Sequence, residues 1–190
     1  HLFLILPFLP RSQMGSIDVY GSVPEIIRFL SIDTTENIQE REKSPDGTKV
    51  FLEPNELYAI SVANPTSYTR NDHIAEWWPR EIPTSSLISG AGQIRARGRL
   101  ALFAKVGDIN GLIAQAISAV REIRTGKQTF SDNFQVSNRD GVEIFIIGSI
   151  AGGTGSGTFL DVAFLARQHL NSFSNITGVF VLPRVFANLP

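Results

Sequence analysis

Residues 142–182 hold the pattern that narrows the fold furthest: VEIFIIGSI, then AGGTGSG, then a helix-forming run, then ITGVFVL. Val142–Ile150 is dense in β-branched and aromatic residues, which read as a buried strand. Gly152–Gly157 follows it directly as a glycine-rich loop. Thr158–Leu170 reads as a helix, with Leu160, Ala163, Phe164 and Ala166-Arg167 grading from core to surface. Ile176–Leu182 reads as a second buried strand. Strand, loop, helix and strand in this order make a βαβ unit, which implies a parallel sheet covered by helices. The fold class is therefore α/β.

Upstream segments extend that plan. Ile26–Ile32 reads as a strand that ends in the polar loop Asp33-Thr34-Thr35. Glu36–Asn55 is charged and contains the turn Pro45-Asp46-Gly47, so it reads as an exposed excursion. Leu57–Val62 is a weaker strand candidate, and Asn64–Ser89 reads as loop with short helical turns. Trp77 and Trp78 within it suit an anchor that buries the loop on the core; ligand stacking is the lesser alternative. Gly90–Arg99 opens a long helical stretch. From Asp108, the apolar positions Ile109, Leu112, Ile113, Ala116, Ile117 and Val120 follow the spacing of one buried helix face. Asp108 suits the N-cap, Gly126 suits the stop, and Asn133–Gly141 reads as polar loop.

Composition removes several function classes. A net charge of -1 gives no electrostatic footprint for nucleic acid or an anionic membrane. The chain has no cysteine, so disulfides and thiolate metal sites are excluded, and a reducing compartment fits. His1, His73 and His169 lie far apart, without metal-ligand spacing. The N-terminal run HLFLILPFLP is too short to span a bilayer and carries two prolines. Two readings of it stand: a fragment end or upstream reading-frame scar, or an irregular segment packed on the domain. On either reading, residues 1–22 are expected to be irregular and residues 23–190 to form the domain.

The glycine run is the chemical signal. Glycines let a backbone approach a ligand closely, and a following helix adds unpaired amides and the positive end of its dipole. Thr154, Ser156 and Thr158 can add hydroxyl donors. Such a site neutralises phosphate with backbone dipoles and needs no lysine. A Walker A loop requires Gly-Lys-Ser/Thr, and no lysine follows Lys127. The dinucleotide fingerprint requires different spacing and a later acid, and no Asp or Glu follows Asp161. A nucleophile elbow around Ser156 would need glycine at 154 and 158, where threonines stand. A tight turn that serves only helix–strand packing remains the bland alternative.

On these residues the chain resembles the tubulin/FtsZ superfamily. Ala151–Gly157, AGGTGSG, is similar to its signature loop G-G-G-T-G-[S/T]-G, with Ala151 in place of the first glycine. Ile32-Asp33-Thr34 resembles the post-strand loop near metal and phosphates, and Gly90-Ala91-Gly92 the loop that faces the γ-phosphate. GAGQIRARGRLALF followed by AGGTGSG looks like the bacterial tubulin-like family distinct from FtsZ. The resemblance spans about Val23–Pro190 and is specific at the two glycine loops.

The resemblance implies a Rossmann-like three-layer nucleotide-binding domain, incomplete at both ends, in a cytoplasmic protein. It implies GTP/GDP and Mg2+ as ligands. Ala151, Gly152, Gly153, Thr154, Gly155, Ser156, Gly157, Gly90, Ala91 and Gly92 would bind phosphate. Asp33 and Thr34 would serve the magnesium and phosphate loop; for Asp33, a turn-forming role is the equal alternative. Arg95 and Arg99, with Arg97, would offer charge to phosphate or to a neighbouring subunit; a solvated helix face is their alternative. The family's first G-x-G-G loop has no match in His1–Gly21, and no catalytic residue is assignable. Hydrolysis is then expected only in a full-length, self-associating form, with weak or undetectable binding and no turnover by this chain. A second copy is the expected partner of the full-length form, and neither nucleic acid nor a membrane is expected. A non-hydrolysing scaffold that keeps the fold is the main alternative; an unrelated α/β enzyme for another anionic ligand is the weaker one.

Overall fold

The computed structural model describes residues 2–6, 27–35, 56–126, 129–131, 134–135 and 141–186, with side chains over 27–35, 56–122 and 141–184. The excursion expected at Glu36–Asn55, with its Pro45-Asp46-Gly47 turn, lies outside them, as do residues 7–26.

The described chain alternates strands and helices. Strands β1 (Leu2–Leu6), β2 (Arg28–Asp33) and β3 (Leu57–Ala59) come first, then short helices α1 (Thr66–Thr69) and α2 (Asp72–Ala75). Two longer helices follow, α3 (Arg95–Ala104) and α4 (Val106–Gly126), then a small ribbon of β4 (Thr129–Ser131) and β5 (Phe134–Gln135). Strand β6 (Glu143–Ser149), helix α5 (Gly153–Gln168), strand β7 (Asn175–Val181) and a 3-10 turn (Pro183–Phe186) complete it.

Five strands form one sheet in the order β3-β2-β1-β6-β7. β2 pairs with β3 in parallel, with Ile32 opposite Tyr58, and β6 pairs with β7 in parallel, with Gly148 opposite Phe180. The βαβ unit is therefore present. The all-parallel expectation fails at the centre, where β1 runs antiparallel to both neighbours. Leu4 lies opposite Leu30 on one side and Ile146 on the other. The N-terminal run read as irregular thus supplies a central strand. Its five apolar residues satisfy the inner edges of β2 and β6, and the strand stops before Pro7, which lacks the amide a ladder requires.

The core lies between this sheet and α3, α4 and α5. Ile32, Ile60, Leu87, Leu100, Leu102, Ile109, Ile113 and Ile117 are fully buried. In α4 the buried stripe Ile109, Ile113, Ile117 and Val120 matches the spacing in the sequence, with Leu112 and Ala116 packed at its margin. The helix begins at Val106, two residues before Asp108, and breaks from α3 at a bend of 76°. Asp108 therefore sits in the first turn rather than at the cap. Its carboxylate accepts from the Tyr58 hydroxyl at 2.7 Å, which ties α4 to β3. No single helix among the described residues is long and apolar enough to cross a membrane.

Two sequence readings need correction near the C-terminal end. α5 begins at Gly153 and not at Thr158, and its buried stripe is Thr154, Thr158, Val162 and Ala166. Leu160 and Phe164, read as core-facing, are 57% and 69% exposed. The helix is rotated because its glycine face, not its larger apolar side chains, lies on α3. β7 is the edge strand of the sheet, and Val179 and Val181 are exposed rather than buried. Trp77 packs at the core margin with Phe103 at 5.6 Å between ring centroids, which is the anchoring role.

Candidate phosphate-binding site

Three segments separated widely in sequence meet at the start of α5. The first follows β2. Asp33 closes that strand, and its Oδ1 accepts from the Thr34 amide at 2.7 Å. Thr34 is wholly buried, its hydroxyl 2.7 Å from that of Thr154, and it also accepts from the Ala91 amide at 2.9 Å. The second segment is Gly90–Gly92. Gly90 and Gly92 have φ of 107° and 61°, a region that side chains rarely adopt, so glycine is required to turn this loop. The third is the glycine run, where the Gly153 amide donates to the Gly92 carbonyl at 2.6 Å. One buried threonine and one backbone bond thus stitch all three segments together.

The amides of the run divide into used and unused. Ala151 donates to Ser149 Oγ at 3.1 Å, Gly153 to Gly92, and Ser156 to the Gly152 carbonyl at 3.3 Å. The amides of Gly152, Thr154 and Gly155 donate to no acceptor among the described residues. They belong to the N-cap and first turn of a sixteen-residue helix, where the macrodipole is positive. Gly152 is the N-cap and supplies no side-chain capping bond. Thr154 and Gly155 are buried residues, and a donor withdrawn from water without an acceptor costs about 1–3 kcal/mol. A bound anion would supply the missing acceptors.

The glycines serve close approach more than unusual dihedrals, since none in the run has a positive φ. A Cβ on Gly153 would meet the Gly92 and Ile94 carbonyls at 2.7 Å. One on Gly155 would overlap the Ser149 carbonyl, and one on Gly157 the Arg95 carbonyl. Gly152 differs: a Cβ there meets nothing within 4 Å, and its φ of -89° with ψ of 161° is ordinary extended backbone.

The hydroxyls behave otherwise than the sequence suggested. Ser156 donates back to the Gly152 carbonyl, and Thr158 to the Thr154 carbonyl at 2.8 Å. With Thr154 bonded to Thr34, all three are committed inside the protein. Arg99 is committed too, its guanidinium bonding both carboxylate oxygens of Asp161 at 3.0 and 3.3 Å and stacking over Trp77 at 4.8 Å. Arg97 donates to the Ser86 carbonyl at 2.9 Å. Arg95 is exposed at the first position of α3. Among the described residues no group of three or more His, Cys, Asp or Glu is placed to hold a metal. Ser149 and Gly98 escaped the sequence reading. A short polar residue ending the strand before a glycine run was the available sign for Ser149, whereas Gly98 carried none.

The geometry is that of a glycine loop and helix N-terminus, able to offer backbone amides to an anion, stitched to two neighbouring loops. Against known families, the one described as "Tubulin like" matches residues 17–190. The chain belongs to the tubulin-like family. No curated protein and no solved structure matches it significantly. In this tubulin-like chain the matched span covers all three segments of the cradle.

Proposed function

We propose that this tubulin-like chain binds guanine nucleotide, with the phosphates seated on the amides of Gly152, Thr154 and Gly155. One observation carries the reading: three backbone donors at a helix N-terminus that have no acceptor among the described residues. The family membership supplies the guanine base, and the cradle supports the phosphates. The Gly90–Gly92 loop would lie beside the terminal phosphate. Magnesium fits a site of this kind because it binds through phosphate oxygens and water, with one or two carboxylates. Asp33 is the carboxylate the three segments bring, and when bound the ion would offset phosphate charge. The surrounding architecture would be a Rossmann-like three-layer domain.

Hydrolysis is proposed only for a self-associated form. Asp33 accepts from the Thr34 amide, and Arg99 is held by Asp161. These bonds favour binding without turnover by the chain itself, the property a scaffold protein would keep. Sustained phosphate release from purified, monomeric chain would contradict that assignment.

The test uses the open position. Gly152→Ala needs no change of backbone and meets no neighbour, and on this reading its added methyl group would crowd a phosphate seated on the Gly152 amide. Millimolar GTP should raise the thermal midpoint of the full-length protein and leave Gly152→Ala unmoved, while both share one midpoint without ligand. An unmoved wild type would refute nucleotide binding.

A further inference from the structure

Helices α3 and α5 touch backbone to backbone. A Cβ on Gly98 would overlap the Gly153 carbonyl, and one on Gly157 would overlap that of Arg95 and approach the Arg99 amide to 2.9 Å. The Gly153 peptide is therefore held at both ends: its N–H bonds Gly92, and its C=O lies on the bare Cα of Gly98. The Arg99–Asp161 ion pair closes the same contact one residue further along. At Gly98 and Gly157 the two backbones meet with no side chain between them, so the start of α3 and the start of α5 cannot shift independently.

We propose that Gly98 is a positioning residue that fixes the Gly90–Gly92 loop relative to the amide cradle, so that a triphosphate reaching both is bound in preference to a diphosphate. This rests on the nucleotide reading above. The chain of cause is short. Gly98 sets the separation of the two helices, α3 follows directly from the Gly90–Gly92 loop, and the Gly92–Gly153 bond joins that loop to the cradle. A methyl group at 98 forces the helices apart and breaks the register between the two phosphate contacts. A displacement of roughly 1 Å can cost a positioned site about a hundredfold.

The test compares affinities for GTP and GDP, each with magnesium, by following amide shifts in the 190-residue chain. Wild type should prefer GTP. Gly98→Ala should weaken GTP by about tenfold or more while GDP changes little, so the preference falls. Ala101→Gly weakens the same helix without adding volume and should keep the preference. Equal losses for both nucleotides in Gly98→Ala, or an unchanged preference, overturn the positioning role. A wild type that binds neither nucleotide overturns the nucleotide reading itself. Should Gly98→Ala not fold, wild-type amide exchange decides. GTP, unlike GDP, should slow exchange at residues 99–103 of α3 together with Gly152–Gly155, and protection of the cradle alone refutes the coupling.

Discussion

At the scale of single residues, Thr34 carries more of the site than any glycine. Its hydroxyl is the shared partner of the Thr154 hydroxyl and the Ala91 amide. Thr34→Val keeps the shape but strands both partners in a dry environment, so it should cost about 1–3 kcal/mol in a urea melt. The glycines divide by what surrounds them. Gly155→Ala pushes a methyl into the Ser149 carbonyl and should cost about 1–3 kcal/mol, whereas Gly152→Ala should leave the urea midpoint unchanged. Tyr58 offers a separate check. Burial pushes its phenol up to about 12, and the hydrogen bond to Asp108 and that group's negative charge add to the shift. A raised folded value favours the protonated phenol, so its contribution is complete below the ordinary value of 10.0 and is lost as pH rises from there through about 12. Tyr58→Phe should flatten the pH dependence of stability in that window, and an unchanged profile would refute the assignment.

At the scale of elements, α4 shows what a sequence displays openly. Ile109, Ile113, Ile117 and Val120 repeat at helical spacing, and all four are buried. Ile113→Ala should accordingly cost about 2–5 kcal/mol, read as a lowered urea midpoint. α5 shows the opposite. Two of its five large apolar residues, Leu160 and Phe164, are exposed, while Val162 is buried and Phe159 and Leu165 pack at the core margin, because the glycines and two threonines at its start set which way the helix faces. Periodicity reads side-chain volume, so a face that packs through missing side chains leaves no trace in it. The cradle itself was legible at Ala151–Gly157, Gly90–Gly92 and Asp33-Thr34, since turn and loop chemistry is local. The commitments of Ser156, Thr158 and Arg99 were not, because each depends on a partner chosen by tertiary packing. The same reasoning covers Asp108, displaced from its expected cap by a helix that starts at Val106 and bends 76° from α3.

At the scale of the whole molecule, two parallel pairs, β2 with β3 and β6 with β7, flank an antiparallel strand. The β6–β7 pair follows from the βαβ pattern; the central strand does not, since it pairs antiparallel with both β2 and β6. The sheet brings the ends of β2 and β6 to the same region, and there Asp33-Thr34 meets Gly152–Thr154 through the Thr34–Thr154 bond. The tubulin-like fold thus works as a frame that gathers three short loops around amides that have no acceptor among the described residues. A residue-resolved amide titration of the 190-residue chain with magnesium GTP tests this most directly, because it detects even weak binding. Shifts should concentrate at Gly152, Thr154, Gly155 and Gly90–Gly92, and should vanish in Gly152→Ala. Absent shifts at millimolar GTP, or shifts confined to other parts of the chain, would contradict the account.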